Sequence, residues 1–373
     1  MSSAHDPQFS AGKVMYLGFS RGWMQSQNDY TPATALLRLL TFLRRPQVKS
    51  ITAVIALSIS LIGGLAKADS LNLTLSGGNP GGLWYLMGAG IDRAAKAADA
   101  KSVITYQATG GGFANIALLA GKRTDLGLVH DAELLLALNG EEPFKAPIKN
   151  MQAVGYMYNW APMHFFLKKD IADKYKIESL EDIAKSKAPI TIGINRSGNI
   201  TGNVALFMLK AAGLTEENLK ANGGSLVRAG ATEQAGLIKD NRIQLVTNGI
   251  FVKHSSFRAI DSENEVVLLK VPQSVIEATN KAFGTSPFVI PNGSYSKVTS
   301  DTPSVALGAM LVTHDQVSTD VAYGLAKSLL NHIDEVRNVH SSMKGLTPKL
   351  MVNQSVLPFH PGAVKAYKEA GLL

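Results

Sequence analysis

Three times in this sequence an apolar, strand-like run breaks into a glycine-rich loop and restarts as an amphipathic helix. LNLTLS leads into GGNPGGLWYLMGAGIDRAAKAA between Leu71 and Ala98. SVITYQA leads into TGGGFANIALLAGK between Ser102 and Lys122, and PITIGI into NRSGNITGNVALFMLKAAG between Pro189 and Gly213. A helix start carries unpaired backbone N–H groups and a partial positive charge, so each loop is a place where an anion can sit. Any one loop is equally explained as a tight turn. Three in one chain favour a binding site.

Around these units strands and helices alternate, the pattern of an α/β fold with largely parallel sheets. A short strand is expected at Leu126–Val129, with a helix after it that ends near Gly140. Ser179 with Asp182 three residues on marks a helix start, as does Ser318. A helix over about Thr232–Lys239 closes on a turn at Asp240-Asn241, and Asn292-Gly293 marks another turn. Two stretches stand apart: MQAVGYMYNWAPMHFFLKK (Met151–Lys169) and the run from Ser304 to Thr313 are long and apolar without helical period. Both read as extended strands that pass from one lobe to another and back. The expected organisation is therefore a lobe over 69–160, a second lobe over 161–307, and a return over 308–373 into the first lobe with the C-terminal helices. Two lobes joined by two crossings imply a cleft that closes by rotation at the crossing strands.

The formal charge of +8 invites a nucleic-acid reading, but its distribution opposes it. Residues 1–68 hold seven basic and two acidic residues; taking these from totals of 37 and 29 leaves 30 against 27. No basic block with interleaved aromatics remains, so no nucleic-acid partner is expected. The basicity belongs to a targeting segment. Arg44, Arg45 and Lys49 precede SITAVIALSISLIGGL (Ser50–Leu65), and Ala66-Lys67-Ala68 follows. This is the order of a secretory signal, with cleavage expected after Ala68, and the apolar run falls short of the ~20 residues of a spanning helix. An uncleaved anchor is the alternative. The chain has no cysteine, which excludes disulfides, thiol catalysis, thiolate metal sites and a lipidated N-terminal cysteine. A freely soluble, monomeric periplasmic product is expected.

The ordered set GGNPGGLWYLMGAGI, YQATGGGFANIALLAGKRTDLGLVHD, INRSGNITGNVALFMLKAAGL, IPNGSYSKVTSDTPSVALGAMLVT and LPFHPGAVKAYKEAG resembles the TAXI-type solute receptors of TRAP transporters, from about Leu71 to the C-terminus. The resemblance implies a two-lobed (type II-like) periplasmic binding protein, each lobe a mixed, mostly parallel sheet flanked by helices. It also implies a ligand among small carboxylates or amino acids (glutamate, glutamine or 2-oxoglutarate-like), handed to a membrane permease. Carried over by motif, the first loop supplies Gly78 and Gly82 with the aromatics Trp84 and Tyr85. The second supplies Thr109, Gly110, Gly111 and Asn115, with Gly112 and Phe113 where the family has a small hydroxyl residue. Asp131 matches an aspartate after the third strand. Ser197, Gly198, Asn199 and Thr201 keep part of a second-lobe turn, with Arg196 just before it.

A carboxylate in the cleft could accept N–H bonds from Gly78–Gly82 and Gly110–Phe113 and a bond from Thr109 Oγ1. Arg196 is the most attractive cation, because a guanidinium fork matches a carboxylate, although a lone loop arginine is more often solvated. Trp84 or Tyr85 could lie over the ligand while the other packs. Asp131 suits a ligand amino group or a plain helix cap equally. The histidines lack metal-ligand spacing, so no metal and no cofactor are expected, and His360 in LPFHPGA reads as structural. No nucleophile–base pair stands out, so a receptor without chemistry is preferred to an exported α/β enzyme. A receptor of an ABC importer or a sensor is the nearer alternative.

Overall fold

The computed structural model describes residues 70–373 apart from 354, so the secretory signal expected over 1–68 lies outside the described residues. Ten strands form two mixed sheets that share one long strand. In the first sheet β1 (Asn72–Ser76) pairs in parallel with β2 (Val103–Gln107) and β3 (Leu126–His130). In the second, β5 (Thr191–Ile194) pairs in parallel with β6 (Ser225–Arg228) and β7 (Leu245–Gly249). The strand common to both is β4 (Met151–Lys168): its first part pairs antiparallel with β10 (Thr302–His314) and its last part, from Met163, with β7. β10 lies between β3 and β4 and also carries β9 (Ser286–Ile290). β8 (Val266–Leu268) adds to the end of β4.

The two stretches that lacked helical period are thus single long strands, of 18 and 13 residues. Their near-continuous burial explains the missing alternation, because helices and loops cover both faces. Four apolar clusters fill the molecule. One, around Leu75, Ile91 and Leu311, and another, around Ile116, Val129 and Met310, occupy opposite faces of the first sheet. A third around Phe165, Ile192 and Val204 and a fourth around Phe166, Val246 and Phe257 do the same for the second.

Three helices that matter for the site follow the strand of a glycine unit, α1 (Leu83–Ala98) after β1, α2 (Gly112–Ala120) after β2 and α6 (Ile200–Ala211) after β5, and a fourth, α3 (Asp131–Asn139), starts directly from β3. Between them α4 (Lys169–Tyr175) and α5 (Leu180–Ser186) follow β4; Ser179 caps α5 and exchanges bonds with Asp182 as expected. After α7 (Glu216–Ala221) and α8 (Ala231–Lys239) come two helices the sequence pattern did not mark, α9 (Ser255–Glu263) and α10 (Gln273–Phe283). The helix capped by Ser318 is broken in its last third. It runs as α11 (Thr319–Asn331), then turns at His332 into a short α12 (Ile333–Arg337).

At the C-terminus α13 (Pro348–Met351) and α14 (Pro361–Glu369) close the first sheet. His360 caps α14, with Gly362 N–H donating to its Nδ1 and its Nε2 bonded to the Val317 carbonyl, so its role there is structural. The fold is the α/β, two-sheet arrangement that the sequence led one to expect; β4 joins the two sheets, whereas β10 pairs only with strands of the first. Among the described residues no helix is long and apolar enough to cross a membrane.

Candidate functional site

All three glycine loops reach one cavity. It measures about 390 Å³, within the range of small-molecule sites, and takes its walls from both sheets. From the first sheet come Gly78, Gly82, Leu83 and Trp84 at the start of α1, Gly110–Gly112 at the start of α2, and His130, Glu133 and Tyr158. From the second come Asn195, the Gly198–Thr201 turn at the start of α6, and Asn248–Phe251 after β7, with Ala231 and His254 at its edge.

The first wall is an aromatic and acidic unit. The Trp84 ring lies 4.7 Å from the imidazole of His130, and the Tyr158 ring meets Phe251 edge-on at 4.9 Å. Trp84 Nε1–H donates to Tyr158 Oη at 3.1 Å, and Tyr158 Oη lies 3.3 Å from His130 Nε2. His130 Nδ1 in turn lies 3.2 Å from Glu133 Oε2, which also accepts the His130 backbone N–H at 3.1 Å. One proton order satisfies every member: Trp84 donates to Tyr158, Tyr158 to His130 Nε2, and His130 Nδ1–H to Glu133. Glu133 is at the third position of α3, where a carboxylate closes a capping box on the residue before the helix.

Glycine at 112 makes room for that carboxylate. A Cβ there would fall 1.5 Å from Glu133 Oε2. The start of α2 therefore already faces the protein's own negative charge, which works against the expected role of Gly110–Phe113 as an anion cradle.

The second wall is neutral. Asn195 Nδ2 donates to Thr201 Oγ1 at 3.0 Å and lies 3.2 Å from Asn248 Oδ1; Thr201 Oγ1 lies 2.7 Å from Asn199 Oδ1 and 2.9 Å from Asn248 Oδ1. Asn199 caps α6 by accepting the Thr201 N–H at 3.0 Å. These contacts use the amide oxygens of Asn199 and Asn248. Their Nδ2 groups make no protein hydrogen bond among the described residues.

Eight of the fifteen expected residues line the cavity: Gly78, Gly82, Trp84, Gly110, Gly111, Gly198, Asn199 and Thr201. Others act behind it. Thr109 Oγ1 sits between the Gly77 carbonyl and Asn115 Oδ1 and accepts the Gly111 N–H at 3.0 Å, while Asn115 Nδ2 donates to the Leu128 carbonyl at 2.7 Å. The pair fixes the first two loops to β3 from below. Phe113 turns away to meet Phe144 at 5.9 Å. Tyr85 is 43% exposed and packs edge-on against Tyr106. Ser197 belongs to the turn but not to the cavity wall.

Asp131 is buried beneath the site, accepting N–H bonds from Ala132 and Gly308 at 2.9 Å each and lying 3.2 Å from Tyr156 Oη. Desolvation pushes its carboxyl up to about 7, against the opposing pull of His130 and these donors. It ties α3 to the two long strands and is not among the residues that line the cavity.

Arg196 departs furthest from expectation. Its Nη2 pairs with Glu233 Oε2 at 2.9 Å, the side chain is 70% exposed, and it does not line the cavity. Among the described residues the lining has no lysine or arginine. His130, Glu133, Tyr158, Asn248 and Phe251 were missed because each sits in a strand or soon after one, without a loop motif to announce it, and Asn195 was passed over at the first position of the third glycine loop. A wider surface depression of about 870 Å³, lined by Lys253, Arg258, Asp261 and Glu263 among others, is reached by none of the glycine loops.

Fold and site together define an α/β protein that carries a ligand-sized cavity between two sheets. Over residues 75–371 the chain matches the NMT1-like family, and it belongs to that family. Among solved structures it is similar to a TctC solute-binding protein from Polaromonas (13% identity over 80% of this chain and 95% of that one, TM-score 0.49). It is also similar to malate-bound MatC from Rhodopseudomonas palustris (11%, 82% and 97%, 0.48) and to the periplasmic binding protein BugD (10%, 82% and 94%, 0.47).

Proposed function

We propose that this chain is a periplasmic solute receptor that captures a small carboxylate in the cavity between its two sheets and delivers it to a membrane permease. The supporting observation is the meeting of glycine loops from both sheets on one cavity of about 390 Å³. In this reading residues 69–160 and 308–373 form one lobe, 161–307 the other, and β4 and β10 are the hinge. The carboxylate accepts hydrogen bonds from the helix starts of α1 and α6 and from the amide nitrogens of Asn199 and Asn248. Charged hydrogen bonds contribute about 1.5–3 kcal/mol each, so a few of them, with apolar contact to Trp84 and Phe251, support micromolar binding after association costs.

The resemblance of the five ordered motifs supports a TAXI-type receptor of a TRAP transporter and a ligand of the glutamate, glutamine or 2-oxoglutarate type. The basic and apolar order before Ala68 supports export. Native mass spectrometry of the purified mature chain reads any retained ligand directly. A thermal-shift series of C4–C6 carboxylates, amino acids and neutral sugars then ranks candidates, because a ligand at a hundred times its Kd stabilises by about 2.7 kcal/mol. Stabilisation by carboxylates and indifference to sugars is expected. The reverse ranking, or turnover of a bound acid, overturns the reading. Co-purification with a permease separates TRAP from ABC assembly.

A further inference from the structure

We infer that Glu133 is the cation-holding group of this cavity, and that the ligand therefore carries a positive charge as well as its carboxylate. The inference rests on the receptor reading above and narrows its substrate class.

Glu133 is 3% exposed, and its carboxylate lines the cavity. Both protein donors, His130 N–H and His130 Nδ1, reach Oε2. Oε1 has no protein hydrogen bond among the described residues. Oε1 is not sealed from solvent, so it can accept a bond from a ligand donor that takes the place of water. Among the described residues no lysine or arginine lines the cavity, the ionisable side chain paired with Glu133 is the imidazole of His130 at 3.2 Å on Oε2, and Arg196 is committed to Glu233 outside. The surroundings suit an ammonium in a second way. The indole of Trp84 and the phenol of Tyr158 border the same wall, and aromatic faces attract cations.

The opposite wall offers the complementary chemistry: the amide nitrogens of Asn199 and Asn248 and the start of α6 are donors without a fixed charge. A zwitterion spans the two walls with each charge met. A plain dicarboxylate would set one of its charges against Glu133 with no cation to offset it.

The test compares two probes with the same five-carbon chain, L-glutamate and glutarate, by isothermal titration against the mature wild type and Glu133→Gln. Glutamine at this helix position keeps the capping bond. The wild type is expected to bind glutamate at least tenfold more tightly than glutarate. The substitution is expected to weaken glutamate at least tenfold and to leave glutarate unchanged or improved. Equal binding of the two acids by the wild type overturns the inference while leaving the carboxylate reading intact, and needs no variant. Equal weakening of both in the variant overturns it too, as the signature of a purely structural role. Binding of neither acid overturns the carboxylate reading itself.

Discussion

Single side chains around this cavity divide into those that face the ligand space and those that hold the facing groups in place. Thr109 belongs to the second kind. Its one hydroxyl proton serves either the Gly77 carbonyl or Asn115, while its oxygen accepts from Gly111. Thr109→Val keeps the shape and leaves these partners unpaired, at a cost of about 1–3 kcal/mol. The expected result is a lowered melting temperature together with weaker ligand binding. Weaker binding at unchanged stability would instead place the hydroxyl on the ligand.

Asp131 gives the residue scale a pH signature. Its folded pKa, about 7, lies above the ordinary value of 3.8, so the folded state holds the proton more tightly. The associated stability is complete below about pH 4 and is lost as pH rises through about 7, at up to about 1.4 kcal/mol per unit. Denaturant titrations from pH 4 to 8 are expected to show this decline in the wild type and a flatter profile in Asp131→Asn. Identical profiles would show that the three donors around Asp131 outweigh its desolvation.

At the scale of elements, the crossing strands carry the most consequential contacts. Glycine at 308 in β10 allows the Asp131 carboxylate to reach its N–H; a Cβ there would lie 2.7 Å from Asp131 Oδ2 and 2.5 Å from the Tyr156 ring. That close approach fixes the start of α3, and with it His130 and Glu133, to the linking strands.

Further along β4, His164 is buried in a cluster with the rings of Phe166 and Phe257. Its Nδ1–H donates to the Pro162 carbonyl at 2.9 Å, and its Nε2 accepts from Tyr295 Oη at 3.0 Å. Burial lowers its pKa from 6.5 to about 3, so the neutral ring is the folded form. The stability this contributes is present above about pH 6.5 and is lost as pH falls toward 3, again near 1.4 kcal/mol per unit. His164→Gln is expected to lower stability at neutral pH and to remove part of the acid sensitivity between pH 6 and 4. An unchanged acid profile would assign that sensitivity to other groups.

For the whole molecule, the receptor proposed above would close about β4 and β10, since one cavity draws its walls from both sheets. Closure on a ligand is expected to reduce the radius of gyration measured by small-angle scattering. Equal values with and without saturating ligand would indicate a cleft already formed in its binding shape. Gly249 at the end of β7 stands at this junction, where a Cβ would meet Leu307 of β10 at 2.7 Å and Met163 of β4 at 2.9 Å. The two linking strands and the second-sheet wall thus pack against one another with little spare room.

The sequence by itself determined the alternation of strands and helices, the two long strands and the three glycine-rich helix starts, since each depends on local period and backbone freedom. It also marked eight residues of the cavity wall, because a loop motif announces its own position. Charge was decided only in three dimensions. Arg196 looked like the cation of the site until Glu233, 37 residues later in the chain, met it on the surface. Glu133 drew no notice in the sequence, and only the fold sets it against Gly112 inside the cavity. Electrostatic partners are chosen by distance in space, and no periodicity along the chain encodes which residues end up facing one another.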